Sequence, residues 1–379
     1  MGTPRRRCGA VAVLFEVVGV STEHQNAAEQ PHSRLSVTNR ADATNHRERP
    51  SRGEILSTPL TERDGIPLRE EVYDYGALHG DRPLPWRESV HQWRDYIEDT
   101  EDTDAIFQNQ DSGEYHVGGD AHRFAPEYAD KQYAKLKDLQ RGLQADYGKR
   151  LHTAMLTFTA SWCPDGDPVP PVDHLLELDS SWDAIRRELS RQLDSHRWEY
   201  LAILEPHKSG YLHIHMAVFV DGVVTRNTFA PVIEAHVRNC DLAEHEAHDP
   251  ASDDIISIRH AGADRRDDLD DDRDDDQGDG SLDELAIYLA EYLGTYGDDP
   301  LLEDDHVQMS NAVLWATGKQ RWRPSQGAQS HMATEQPDDE EETDWELVGI
   351  RSGTEYYPCE TADGGVDRFV TSSLDPPAD

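Results

Sequence analysis

Apolar and polar positions alternate with period two over residues 153–160, 198–204 and 211–220, and 255–258 is a short apolar run. Each pattern predicts a strand. Between them the period lengthens to that of a helix: Ile185, Leu189 and Leu193 share one face of 181–193, and a second helix is expected over 225–238. Residues 206–210 supply a tight turn from the second strand into the third. The order β-α-β-β-α-β predicts an α+β, ferredoxin-like or RRM-like split β-α-β, a central antiparallel sheet with helices on one face. Its first and third strands are then the central pair. On the third strand, His213 and His215 project from one face, and Leu212, Ile214 and Met216 from the other.

Around this block the pattern is uneven. Tyr128, Gln132, Leu136, Leu139 and Leu143 follow the helical period over 124–147, and Gly148 stands at the C-cap position. Lys131, Lys135, Lys137, Arg141, Lys149 and Arg150 gather on this helix and its end, as a solvated face or as a contact surface for phosphates. Residues 1–62 lack periodicity and are expected to be disordered. Residues 63–124 carry Trp86, Val90, Trp93, Tyr96 and Ile97 at helical spacing and are expected to be partly helical. The main domain is expected over 125–330, interrupted by an acidic insert over 241–280. Helices are predicted over 281–296, with Ser281 as N-cap, and over 306–316, and 318–324 forms a second basic, aromatic patch. An acidic linker, 331–344, leads to a strand pair (345–351 and 355–359) within a tail spanning 345–379.

Charge adds a setting. Asp and Glu number 76 against 36 Lys and Arg, a formal charge of −40, and the excess extends beyond the insert into segments with folded patterns. At molar salt the Debye length falls to about 3 Å and self-repulsion is screened. The expectation is a cytoplasmic protein of a halophile whose cytoplasm is rich in salt. In such salt the negative net charge does not exclude DNA, because counterion release drives little of the binding. Cys8, Cys163, Cys240 and Cys359 form no Cys-x-x-Cys pair, and no apolar stretch is long enough to span a membrane. Cys240, His245 and His248 could contribute to a zinc site, but lack a fourth ligand.

The chemistry gathers on the third strand. Glu205 ends the second strand eight residues before His213, across the hairpin. A carboxylate with two imidazoles is a mixed oxygen and nitrogen donor set suited to Mn²⁺ or Mg²⁺. Tyr288 and Tyr292, four residues apart on the predicted helix 281–296, share a face, as core residues or as nucleophiles.

Together, Leu156-Thr-Phe-Thr159, Glu205 with Gly210-Tyr-Leu-His-Ile-His215, and Tyr288-Leu-Ala-Glu-Tyr292 resemble the three ordered motifs of the HUH endonucleases. The resemblance is to the rolling-circle replication initiators (Rep proteins) of haloarchaeal plasmids and viruses, and it covers roughly residues 125–330. It implies Glu205, His213 and His215 as ligands of a divalent metal ion. It also implies Tyr288 and Tyr292 as nucleophiles that nick single-stranded origin DNA through a 5′-phosphotyrosine and later rejoin the strand. Glu291 stands where many members carry a lysine, so an auxiliary base would be another residue, such as Lys319 or Arg321. With no Walker A motif in the chain, unwinding would fall to a host helicase and extension to a host DNA polymerase. A transposase or relaxase of the same superfamily, or a non-catalytic DNA-binding regulator, are the competing expectations.

Overall fold

The computed structural model describes residues 49–76, 81–101, 103–118, 122–260, 300–332, 345–352 and 355–358. The predicted helix 281–296, with Tyr288 and Tyr292, lies outside these residues, as do the acidic run, the N-terminal 48 residues and most of the acidic linker. The helices are α1 (Arg52–Ser57), α2 (Trp86–Glu101), α3 (Pro126–Tyr147), α4 (Pro171–Ser180), α5 (Trp182–Gln192), α6 (Arg226–Asn239), α7 (Asp305–Thr317) and α8 (Gln326–His331). The strands are β1 (Tyr73–Asp74), β2 (Arg82–Pro83), β3 (Thr103–Asn109), β4 (Tyr115–Gly118), β5 (Leu151–Phe158), β6 (Trp198–Pro206), β7 (Leu212–Asp221), β8 (Ile256–His260), β9 (Trp322–Pro324), β10 (Trp345–Ser352) and β11 (Glu355–Pro358).

The fold is α+β. Its main sheet has the antiparallel order β8-β5-β7-β6-β9, so the predicted split β-α-β is present with β5 and β7 in the centre. The edge strand β9 was not expected. It is three residues long and pairs with β6 from more than a hundred positions away, which leaves no local pattern to read. The stretch at α4 was not assigned either. Pro170 and Pro171 read as breakers there, yet Pro171 takes the first helical turn, where a missing N–H costs nothing.

Residue parity on β7 divides the core in two. Leu212, Ile214, Met216, Val218 and Val220 face a cluster that includes Val172 and Leu175 of α4, Ile185 and Leu189 of α5, and Phe229 and Val232 of α6. That cluster extends to Trp86 and Trp93 of α2 and Trp315 of α7. Ala217 and Phe219 face the other way, with Leu151 and Met155 of β5 and Leu201 and Ile203 of β6. Leu136, Leu139 and Leu143 of α3 and Ala328 of α8 cover this second face. Helices therefore lie on both faces, beyond the single layer of the predicted motif. Each fully buried Leu or Phe here contributes on the order of 2 kcal/mol by removal from water.

Burial along β7 shows where the second cover stops. Residues 216–220 are all buried, whereas His213 and His215 alone interrupt the buried run at 212–215. α3 ends at Gly148, whose φ of 55° closes the helix and returns the chain into β5 at the opposite end of the sheet. A separate four-stranded sheet, ordered β11-β10-β3-β4, joins the C-terminal hairpin to the segment after α2.

Candidate metal centre

The hairpin between β6 and β7 sets the site. The His207 N–H donates to the Tyr211 carbonyl and the Gly210 N–H to the His207 carbonyl, both at 2.7 Å. Gly210 has a φ of 91°, and a Cβ there would stand 2.9 Å from Met309 side-chain atoms, so the turn requires glycine on both counts. This turn fixes the register in which Glu205 pairs with His213, and on the other side of β7 Thr157 of β5 pairs with His215. All four side chains then project from the face that α3 covers farther along. A slip of one residue would send them into the opposite core.

Three donor atoms meet at one point. Glu205 Oε2 lies 3.0 Å from His213 Nε2 and 2.6 Å from His215 Nε2, and the two nitrogens are 2.8 Å apart. Among the described residues this is the one group of three His, Cys, Asp or Glu donors close enough to share an ion. Ligands about 2.1 Å from an ion and 90° apart are about 3.0 Å from each other, as in octahedral Mn²⁺ or Mg²⁺ coordination. Tetrahedral angles at zinc distances would spread them to about 3.4 Å. The three donors are close enough that Glu205, His213 and His215 would hold one divalent ion together. The donor set thus fits the ion.

Electrostatics prepare the ligands. Burial would raise the Glu205 carboxyl, but hydrogen bonds and charge from His213 and His215 outweigh it and hold the group at about 2. Burial lowers His215 against the pull of Glu205, which favours the neutral imidazole that metals bind. Thr157 Oγ1 lies 3.1 Å from His215 Nδ1. Were Nε2 to hold an ion, Nδ1 would carry the proton and donate to that hydroxyl, fixing the ring.

His207 is a neighbour that sequence pattern did not single out. Its ring centroid is 6.5 Å from that of His213, and burial together with His213 lowers it to about 4. A third histidine immediately after the end of β6 was the available signal. Thr159, expected beside Thr157, lies past the end of β5 and instead gives its N–H to His248 Nε2 at 3.1 Å. The Cys240, His245 and His248 grouping does not form a donor cluster, since His248 is committed to Thr159 and to the Glu244 carbonyl. Burial also pushes the Cys240 thiol up to about 11, away from the thiolate that zinc requires. Lys319 and Arg323 of the second basic patch both pair with Asp179 at 2.5 Å, while Arg321 bonds Asn311.

The model of the family described as "Putative rep protein (DUF1424)" matches residues 59–357. The chain belongs to this family. A Rep-like family implies DNA as the partner. A 36 kDa protein of Halobacterium salinarum, described as uncharacterized, is 39% identical over 298 residues, which is 77% of this chain and 90% of that protein. A second, from Halobacterium sp. (strain GN101), is 39% identical over 299 residues, covering 76% and 87%. No solved structure matches the chain. The match to the Rep family spans all three sheets, through β10 and into β11. No helix among the described residues is long and apolar enough to cross a membrane.

Proposed function

We propose that this Rep-family chain initiates rolling-circle replication by nicking single-stranded origin DNA, with Glu205, His213 and His215 as ligands of Mn²⁺ or Mg²⁺. The observation that carries the reading is the convergence of those three donors, at 2.6–3.0 Å, on a half-open sheet face. A bound divalent ion supplies a Lewis acid for a non-bridging phosphoryl oxygen. The chain's own residues do the rest. Thr157 holds His215 in the tautomer that leaves Nε2 available, and the hairpin turn holds Glu205 opposite His213.

Tyr288 and Tyr292 are the proposed nucleophiles, taken from the sequence resemblance. The phenolate oxygen of one bonds to phosphorus as the P–O3′ bond breaks. The 3′ oxygen leaves as a hydroxyl, taking a proton in place of the one the phenol gave up. The 5′ phosphate stays on the tyrosine, the free 3′-OH primes a host polymerase behind a host helicase, and the second tyrosine serves strand closure. The charge of −40 fits a salt-rich cytoplasm, and the purified chain is expected to lose its fold when molar KCl is diluted to about 0.1 M.

The test is incubation of the full chain with single-stranded origin fragments and Mn²⁺ in molar KCl. A covalent protein–DNA adduct that survives denaturation is expected, absent with EDTA and absent in the Tyr288→Phe, Tyr292→Phe double variant. Lack of adduct with every origin strand overturns the proposal.

A further inference from the structure

Positive charge gathers around the turn between β6 and β7, beside the metal ligands. Lys208 is exposed in that turn. The Arg52 guanidinium of α1 donates to Met309 Sδ of α7 at 3.0 Å, and Met309 in turn crowds Gly210 of the turn. His306 stands one helical turn before Met309, on the same side of α7. α1, α7 and the turn thus bring Arg52, His306 and Lys208 to one rim. The charges act on one another accordingly. Arg52 and Lys208 both act on His306, against Asp304 and Glu303, and Arg49 and His306 both act on His207. Of the groups whose charge acts most on His207, Glu205 alone is negative, in a chain of net charge −40.

This charge is not taken up by ion pairs. A thioether is a weak acceptor, and among the described residues no carboxylate pairs with Arg52 or Lys208. The contrast is with Lys319 and Arg323, which share Asp179. His207 adds an uncharged donor. Its Nδ1 accepts the Ser209 N–H at 3.3 Å and lies 2.9 Å from Ser209 Oγ. A backbone N–H can only donate, so in the neutral ring Nε2 carries the proton. Among the described residues nothing accepts from that Nε2, and its ring centroid is 6.5 Å from that of His213. Two cations and an N–H donor therefore stand without partners next to the donor cluster.

We infer that Arg52, His207 and Lys208 form an anion site for a backbone phosphate of the DNA strand, next to the phosphate presented to Glu205, His213 and His215. This rests on the proposed nicking function and names positioning residues for that site. The Arg52 fork and the Lys208 ammonium match phosphate oxygens, and the His207 Nε2–H supplies a third donor. A carboxylate ligand would repel a strand arriving alone, and the rim offsets that repulsion beside it. Contacts of this kind fix where the strand lies on the protein and carry no base preference.

The experiment measures binding of the full chain to a fluorescent dT 12-mer by anisotropy, at pH 8 with EDTA, over the KCl range in which the chain stays folded. On a single strand each phosphate contact contributes about 0.7 to the fall of log affinity with log salt. Arg52→Gln and Lys208→Gln should each lower that slope by about 0.7 and weaken binding roughly threefold, and the double variant should lower it by about 1.4. His207→Phe removes a neutral donor, so it should weaken binding with the slope unchanged. Lys149→Gln, exposed at the opposite end of the sheet, should leave affinity and slope as they are. On a methylphosphonate 12-mer, whose backbone is uncharged, wild type and double variant should bind alike. Mn²⁺ affinity, read by calorimetry, should not fall in any of these variants, which also checks their fold. An unchanged slope in the double variant, or an equal fall in Lys149→Gln, overturns the inference. If wild type forms the tyrosine adduct with Mn²⁺ but the double variant keeps the wild-type slope, this inference fails while the nicking proposal stands. If the slope falls in the double variant but no origin strand gives an adduct, the rim binds phosphate and the nicking proposal fails.

Discussion

One sheet face carries two different surfaces. Under α3, Met155, Leu201, Ile203, Ala217 and Phe219 make a dry core, while a few residues along the same strands Thr157, Glu205, His213 and His215 make a polar cluster. Backbone, strands and register are shared, so only the cover differs. Where the helix lies, the strand must be apolar on both faces. Where the cover stops, the alternate positions are released from packing and can hold ligands. A rigid platform with one half buried is a good support for a site, because the covered half fixes the strands that the open half uses.

The largest expected effect tests whether the open half is free of a packing role. His215→Ala should lower Mn²⁺ affinity by more than about a hundredfold and abolish adduct formation, with unfolding in molar KCl changed by less than about 1 kcal/mol. A loss of fold comparable to a core variant would break the distinction. Phe219→Ala is the converse. It should cost about 3–5 kcal/mol in denaturant unfolding, yet leave Mn²⁺ affinity of the folded fraction intact.

A third expectation concerns acid. His174 of α4 and His236 of α6 are buried on the opposite face of the sheet and lowered to about 4, chiefly by burial, with His248 adding to the effect at His236. Their folded values lie below the unfolded value near 6.5, so the unfolded chain binds more protons between the two. Stability is therefore full above about pH 6.5 and is lost as pH falls toward 4, by about 3 kcal/mol per histidine. Unfolding free energy measured from pH 8 to 4 should show this slope, and His236→Gln should flatten it. The smallest effect is Thr157→Val. Removing the hydroxyl beside His215 Nδ1 should weaken Mn²⁺ about tenfold with little change in stability.

What the sequence revealed follows the range of the forces involved. Period-two alternation and the turn at Pro206 to Gly210 are local, and they were enough to place β5 to β8 in their order and Glu205 across from His213. The polar histidines on an otherwise apolar strand were legible because they break its pattern. The cover was not. That α3 lies on the histidine side depends on Leu136, Leu139 and Leu143 sharing one core cluster with Ala217 and Phe219, which no local pattern encodes. β3 was missed because Thr103–Asn109 has weak alternation and its partner β10 comes far later in the chain. Tyr288 and Tyr292 remain legible from the sequence resemblance alone, being outside the described residues.

The pairing of β3 with β10 has a consequence for synthesis. Asp104 and Arg351, joined by an ion pair across the two strands, are 247 positions apart. At about 5–20 residues per second, β3 leaves the ribosome roughly 12 to 50 s before its partner exists. Through that interval one edge of β3 has unsatisfied backbone groups, open to the wrong strand. The main sheet can assemble meanwhile, since β5 to β9 are complete by residue 324. The nascent chain thus brings Glu205, His213 and His215 together before its four-stranded sheet closes, and the last strands to be made finish the fold near its beginning.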